Sequence, residues 1–256
     1  MKNIEPIQKL IAGLLATSPA GHDLRLIGGF RYRLLDGSAR RSADIDYSWE
    51  GDIHEKAGEI ASLFRRKLLP EVKRRFGYDG AATLAQGPEF DSPFVAVITA
   101  VFYRIGERQS RIEIPVEITR IVCADKPVAR TLDGVVYLTA SDADMVESKI
   151  VSIFNRVHIQ ERDLIDIFLF KNRIPPDAGE RLRVKFKKLS IRESSIRERI
   201  SALKKSRAYH GRNIDTVVRE QLEPHAASHI EAAGGGLMVF DEALAAVESA
   251  LKRQGA

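Results

Sequence analysis

Leu26-Ile27-Gly28-Gly29-Phe30, followed after a short connection by Arg40-Arg41-Ser42-Ala43-Asp44-Ile45-Asp46, decides how the N-terminal half of this 256-residue chain is read. An apolar run ends at a diglycine, and two carboxylates spaced i, i+2 follow in a β-prone setting. On a strand successive side chains alternate faces, so Asp44 and Asp46 are expected to project together while Ile45 points into a core. Neighbouring carboxylates repel one another, and a hard cation relieves that repulsion. Mg²⁺ fits, because one or two carboxylates hold it while its other positions stay with water and substrate phosphate. Gly28 and Gly29 carry no Cβ, which lets backbone come close to a phosphate. Asp-x-Asp alone is common in solvated turns, and Gly-Gly alone marks a turn; their order along the chain carries the reading.

Around this core motif the periodicities predict a compact alternation of elements. Ile7, Leu10, Ile11 and Leu14 have helical spacing within Ile4 to Leu15. A short strand, Leu24 to Gly29, ends at the glycines, and a helix over 30–35 closes at Asp36-Gly37. A strand from Asp44 to Trp49 is followed by a helix from His54 to Phe76, with a kink at Pro70. Phe94 to Tyr103 and Arg111 to Val122 read as antiparallel neighbours joined at Gly106. In the second of these, Ile112, Ile114, Val116 and Ile118 share one face and Glu113 and Glu117 the other. From Ser141 onward the periodicity is helical, so a domain boundary is expected at Asp133-Gly134. That divides the chain into an α+β domain over 1–133, a mixed sheet flanked by helices, and a helical domain over 134–256. Gly234-Gly235-Gly236 separates off a last amphipathic helix, Asp241 to Lys252.

In the helical half, Ser141-x-x-Asp144 is a plausible capping box, and the helix behind it carries Met145, Val146, Ile150, Ile153 and Phe154. Lys149 falls inside that apolar stripe and needs either a snorkelling route to water or an anionic partner. In Glu161 to Phe170, a segment apolar almost all round, Asp163 and Asp166 share a face and demand cationic partners, for which Lys149, Arg156 and Arg162 are at hand. His225 and His229 are four apart but lack a third ligand, and read as surface histidines.

Composition narrows the class. With 44% hydrophobic and 29% charged residues the chain matches ordinary soluble proteins. No apolar stretch has membrane-spanning length, and Met1-Lys2-Asn3-Ile4-Glu5-Pro6 lacks a signal peptide's apolar region, so a cytoplasmic protein with no membrane partner is expected. The single Cys123 excludes an internal disulfide and a cysteine-rich zinc site. The net charge of +5 permits nucleic acid binding. Arg181, Arg183, Lys185, Lys187, Lys188, Arg192, Arg197, Arg199, Lys204 and Lys205 concentrate that charge in one stretch, which is either a solvated helical face or a surface for phosphate backbones.

The ordered motifs resemble the nucleotidyltransferase superfamily, and within it the AbiEii-type toxins of type IV toxin–antitoxin systems. That family's pattern runs Gly-Gly-Thr-Ala-Leu, then Arg-x-Ser-x-Asp-Ile-Asp, then a distal helix pair with Lys and Asp. Here Gly28-Gly29-Phe30-Arg31-Tyr32 and Arg40 to Asp46 correspond, with Phe30 in place of the small hydroxyl residue, which removes one hydroxyl bond to phosphate. The likeness reaches through roughly the first two-thirds of the chain, as far as its motifs extend.

The resemblance implies a nucleotidyltransferase-like fold and transfer of a nucleoside monophosphate from an NTP to an acceptor hydroxyl. Asp44 and Asp46 would bind Mg²⁺, or Mn²⁺ in its place, with Glu117 as third carboxylate and Glu113 in reserve. Gly28, Gly29, Arg40, Ser42, Lys149 and Asp166 would position the nucleotide, and Lys149 and Asp163 correspond to the family's distal catalytic pair. The implied acceptor is RNA such as the tRNA 3′ end, with a separately encoded antitoxin as partner. A small-molecule nucleotidyltransferase of the aminoglycoside-modifying kind is the alternative enzyme. A catalytically silent regulatory module of the same fold is the alternative outside enzymes.

Overall fold

The computed structural model describes residues 4–85, 94–104 and 107–252. Helix α1 (Ile4–Ala16) leads to strand β1 (Arg25–Ile27), helix α2 (Gly28–Asp36) and strand β2 (Ile45–Ser48). Helices α3 (Ile53–Leu63) and α4 (Leu69–Phe76) precede β3 (Tyr78–Leu84), β4 (Val95–Arg104), β5 (Glu107–Thr119), β6 (Val128–Leu132) and β7 (Val135–Thr139). Helices α5 (Asp142–Asn155), α6 (Glu161–Phe170), α7 (Ala178–Lys188), α8 (Glu193–Lys205), α9 (Arg207–Gln221), α10 (Pro224–Ala232) and α11 (Gly235–Lys252) complete the chain. Its described residues thus form an α+β protein with a mixed sheet, as the patterning predicts. None of their helices is long and apolar enough to cross a membrane.

The strands order as β3-β4-β5-β2-β1-β7-β6. β2 runs antiparallel to β1 and parallel to β5, while β4 and β5 form the expected antiparallel pair. The Gly106 turn lies outside the described residues. Alternation is clean where one face is buried: Ile114, Val116 and Ile118 on β5, and Ile45 and Tyr47 on β2, join one core with Ile7, Phe30, Ile60 and Phe64 from the helices. Glu117 and Asp46 therefore belong to the opposite face.

Several boundaries differ from the sequence reading for identifiable reasons. Asp44 lies before β2, so only Asp46 of the aspartate pair is on the strand. The glycines open α2 instead of forming a separate turn. The Pro70 kink takes the form of a π-helical turn, Phe64–Leu68, between α3 and α4; proline has no N–H for its ladder bond, and the turn before it widens to compensate. Asp133-Gly134, where the change of periodicity predicts an interdomain break, is the two-residue turn of the β6–β7 hairpin, with φ of 49° and 76°. β7 pairs parallel with β1 through Leu26 and Thr139, so the first compact unit reaches past that turn to Ala140. It comprises the residues up to Ser38, Ser42–Ile121 and Pro127–Ala140; Ala39–Arg41, Val122–Lys126 and the chain from Ser141 form the second.

The second unit has its own apolar core, including Ile150, Ile165, Leu182, Ile214 and Phe240. α11 begins at Gly235, earlier than the predicted Asp241. A Cβ on Gly236 would sit 2.1 Å from the Gly211 carbonyl oxygen of α9. The Gly236 amide also donates to Asp215 at 2.6 Å. The glycine is there for close helix packing, not to break the helix.

Candidate functional site

The first unit builds a carboxylate pair on the face of its sheet opposite the apolar core, where Asp46 and Glu117 are half-buried. Parallel pairing of β2 and β5 sets Asp46 opposite Glu117, which leaves these two acids as immediate neighbours across the strands. Glu113 is further along β5, opposite Val101, and ion-paired to Arg111 at 2.5 Å. Asp44 accepts a hydrogen bond from the Ser42 hydroxyl at 2.6 Å. Ser42 therefore orients a carboxylate.

Gly28 sits directly against Asp46. Its φ is +72°, and a Cβ placed on it would fall 1.8 Å from Oδ2 of Asp46. Glycine is thus required twice, by the left-handed backbone and by the carboxylate beside it. Ile27, the residue capping α2, offers no side-chain bond to the first amides of the helix. Unpaired N–H groups at a helix N-terminus attract anions. Gly29 is buried in that first turn, and Phe30 is wholly within the core, so no side chain at position 30 is available to a ligand.

Asp46 and Glu117 offer hard oxygen donors on one face, the chemistry that suits Mg²⁺ or Mn²⁺. Among the described residues no three His, Cys, Asp or Glu side chains converge as a ready-made metal cage. Mg²⁺ needs none, since it commonly keeps one or two carboxylates and takes its other ligands from water and phosphate.

The second unit places the remaining predicted residues in a buried ionic network. Arg40 forms two hydrogen bonds to Asp166, each 2.7 Å, and both residues are almost fully buried. Lys149 donates to Asp163 at 2.9 Å and lies 3.2 Å from Asp166; Arg156 donates to Asp163 at 2.8 Å. The buried Lys149 thus has anionic partners within the protein. Burial works against its ammonium, but Asp163 and Asp166 outweigh burial and hold its pKa above the usual lysine value. Burial likewise opposes the Asp166 carboxylate, and Lys149 and Arg40 hold it below the usual range. Arg40, expected beside a triphosphate, is committed to Asp166 by a bidentate pair.

The basic stretch divides in the same way. Lys185 is buried, with its ammonium 2.6 Å from both Asp144 and Glu147 of α5. Arg181 bridges Asp125, Asp144 and Glu147, and holds the Asp125 carboxyl down at about 2. Arg199 donates to the backbone carbonyls of Arg156 and Val157. Arg181, Lys185 and Arg199 are therefore structural. Arg197 and Lys204 pair with Glu193 and Glu248, while Arg183, Lys187, Lys188, Arg192 and Lys205 stay exposed. Asp144 completes only half of the expected capping box. Ser141 does accept from its amide, but its carboxylate accepts from the Ala124 and Asp125 amides. Glu147 is a member of this network outside the predicted residues; its sequence signal is the i, i+3 spacing from Asp144, matched by Arg181 and Lys185 at i, i+4. His225 and His229 are exposed, as expected.

No protein-family model matches the chain, and no curated protein matches it in sequence. Among solved structures, the Helicobacter pylori protein JHP933 superposes with a TM-score of 0.56 at 15% identity, covering 98% of this chain and 91% of that one. A protein described as a putative nucleotidyltransferase from H. pylori superposes with a TM-score of 0.57 at 15% identity, covering 98% and 94%. At that identity the likeness is one of fold, and the fold is nucleotidyltransferase-like.

Gly28→Ala is expected to cost at least about 1–2 kcal/mol through the left-handed backbone alone, and more because the methyl meets Asp46. In a double-mutant cycle measured by urea unfolding, Asp46→Ala should recover part of that cost; strict additivity would contradict the contact.

Arg40→Ala should lower stability by about 3–5 kcal/mol, since it strips a buried carboxylate of its bidentate partner. A near-silent change in the urea midpoint would mean that Arg40 is not structural. The depressed Asp166 pKa contributes stability above the unfolded carboxylate value, lost as pH falls through the folded one. The raised Lys149 pKa contributes stability below the unfolded lysine value, lost as pH rises through the folded one. Thermal midpoints should stay level near neutrality and fall in acid, less steeply in Asp166→Asn.

Proposed function

We propose that this chain is a Mg²⁺-dependent nucleotidyltransferase of the AbiEii-like toxin type, moving a nucleoside monophosphate from an NTP onto an RNA hydroxyl such as the tRNA 3′ end. The observation that carries the reading is the pairing of Asp46 with Glu117 beside the glycine-opened N-terminus of α2. The motif resemblance supplies the toxin assignment, and an antitoxin partner and a cytoplasmic location belong to the same proposal.

In this reading Asp46 and Glu117 hold the cation, with Asp44 oriented nearby by Ser42. The bound cation supplies charge neutralisation at the phosphates and a more acidic acceptor hydroxyl. The first amides of α2, with Gly28 leaving room for close approach, receive phosphate oxygens. The acceptor oxygen forms a bond to the α-phosphorus as the bond to the β-phosphate oxygen breaks, and pyrophosphate leaves. The hydroxyl proton passes to a carboxylate of the pair, for which Glu117 is the candidate. Lys149, which the resemblance assigns to the nucleotide, is held within its own unit by Asp163 and Asp166. Lys149→Met therefore tests binding and stability together, because it also removes a partner from two buried carboxylates.

The acceptor assignment rests on the exposed Arg183, Lys187, Lys188, Arg192 and Lys205. Phosphate contacts release counterions, so RNA binding should fall steeply with added salt.

Purified protein incubated with tRNA, Mg²⁺ and α-labelled NTPs should transfer label to RNA and lose the activity with EDTA. Asp46→Asn should reduce transfer by at least about a hundredfold without unfolding the protein; undiminished transfer would overturn the metal assignment. Lys188→Glu with Arg192→Glu should raise the apparent Michaelis constant for RNA and leave that for NTP unchanged. Transfer indifferent to salt and to those reversals would point to a small-molecule acceptor. Absence of transfer with every NTP, despite a folded protein that binds Mg²⁺, would favour a silent regulatory module.

A further inference from the structure

Helix α8 is packed more lightly than its sequence allows. It buries Leu203 alone among its thirteen residues, although Ile196 and Ile200 lie on one face at i, i+4. Both isoleucines pack at the edge of the second unit's core and remain part-exposed. With Phe186 of α7, Leu251 of α11 and Ile191 between α7 and α8, they line an open groove of about 840 Å³. A helix normally turns such a stripe into a core.

Charge at the rim has one sign to spare. Glu193 and Glu248 are neutralised within the protein, at 2.8 Å by Arg197 and at 2.7 Å by Lys204. Arg183, Lys187 and Lys252 are exposed on the same rim. An aliphatic floor flanked by surplus cations is complementary to a helix that presents apolar residues on one side and carboxylates beside them. We infer that the α7–α8–α11 groove is a docking site for an acidic amphipathic helix of a separate protein.

Other occupants fit less well. Single-stranded RNA is held by exposed aromatic faces on which bases stack, and the groove's one aromatic, Phe186, is 4% exposed. A second copy of the chain, docked by the same patch, would bring like cations together. A small polar ligand would need buried polar groups converging on it, whereas the floor is hydrocarbon. The inference uses none of the residues assigned to NTP or metal, whereas Arg183 and Lys187 are shared with the proposed RNA surface, and the oligouridylate probe below separates the two.

The test is fluorescence anisotropy on the full chain with a labelled synthetic helical peptide bearing Leu at i, i+3, i+4 and i+7 and Glu on its other faces. A counterpart with Lys for Glu and a single-stranded oligouridylate serve as rival probes. The acidic peptide should bind at least about tenfold tighter than the basic one. Ile196→Gln with Ile200→Gln, and separately Arg183→Glu with Lys252→Glu, should each weaken it about tenfold or more. Thermal melts check the isoleucine variant, and the exposed charge variant keeps the test valid if the other unfolds. Equal binding of the two peptides, no binding, or binding untouched by the charge variant would overturn the inference. So would oligouridylate binding lost in the isoleucine variant, or dimerisation in analytical ultracentrifugation that the same variant abolishes.

Discussion

The close approach of the Asp46 carboxylate to the Cα of Gly28 is the constraint on which the candidate site depends. It ties the end of β1 to the middle of β2, whose antiparallel register pairs Ile27 with Asp46. β2 in turn pairs parallel with β5 and brings Glu117 beside Asp46. A slip of one residue would turn Ile45 and Tyr47 out of the core and Asp46 into it, so burial of the apolar face enforces the geometry of the acidic one. The core and the carboxylate pair are two sides of one register.

The second unit follows a different rule. Two of its helices each carry acids at i, i+3, Asp144 with Glu147 on α5 and Asp163 with Asp166 on α6, and each pair is met by cations from elsewhere in the unit. Paired buried charges contribute modestly to net stability, but removing one partner is costly because the other is left uncompensated. These networks therefore act mainly as constraints: a helix displaced or rotated would strand a charge. They also consume cations. Arg40, Arg181 and Lys185 serve the interior, and what the surface offers to a phosphate backbone or an acidic partner is the remainder.

That remainder is unevenly used. α8 places its own glutamate against Arg197 and leaves its isoleucines in a groove, whereas α11, through Val239, Phe240, Ala243, Leu244 and Val247, is embedded in the core. Adjacent elements of one small unit thus differ sharply in how completely they bury their apolar stripe.

The sequence by itself determined the α+β class, the antiparallel β4–β5 pair and the burial of Ile114, Val116 and Ile118, because each depends on local periodicity visible along a single stretch of chain. Glu117 is named as third carboxylate by the motif resemblance alone, and its place beside Asp46 is set by the long-range β2–β5 pairing. The β6–β7 hairpin was also legible in Asp133-Gly134, a two-residue turn signal that the change to helical periodicity disguised as a boundary. Helical spacing already turned Lys149, Asp163 and Asp166 inward and put Arg156 within reach, but only the tertiary structure decided that Arg40 and Lys185 face inward too. Arg40 finds Asp166 across 126 positions and Lys185 finds Asp144 across 41. Arg40 leaves no periodic trace of its pairing, because outside a helix or strand it reads as an ordinary charged residue. The same holds for Gly236, whose place inside α11 is fixed by the Gly211 backbone on another helix. Local pattern specifies what an element is; long-range pairing specifies which of its side chains remain available for chemistry.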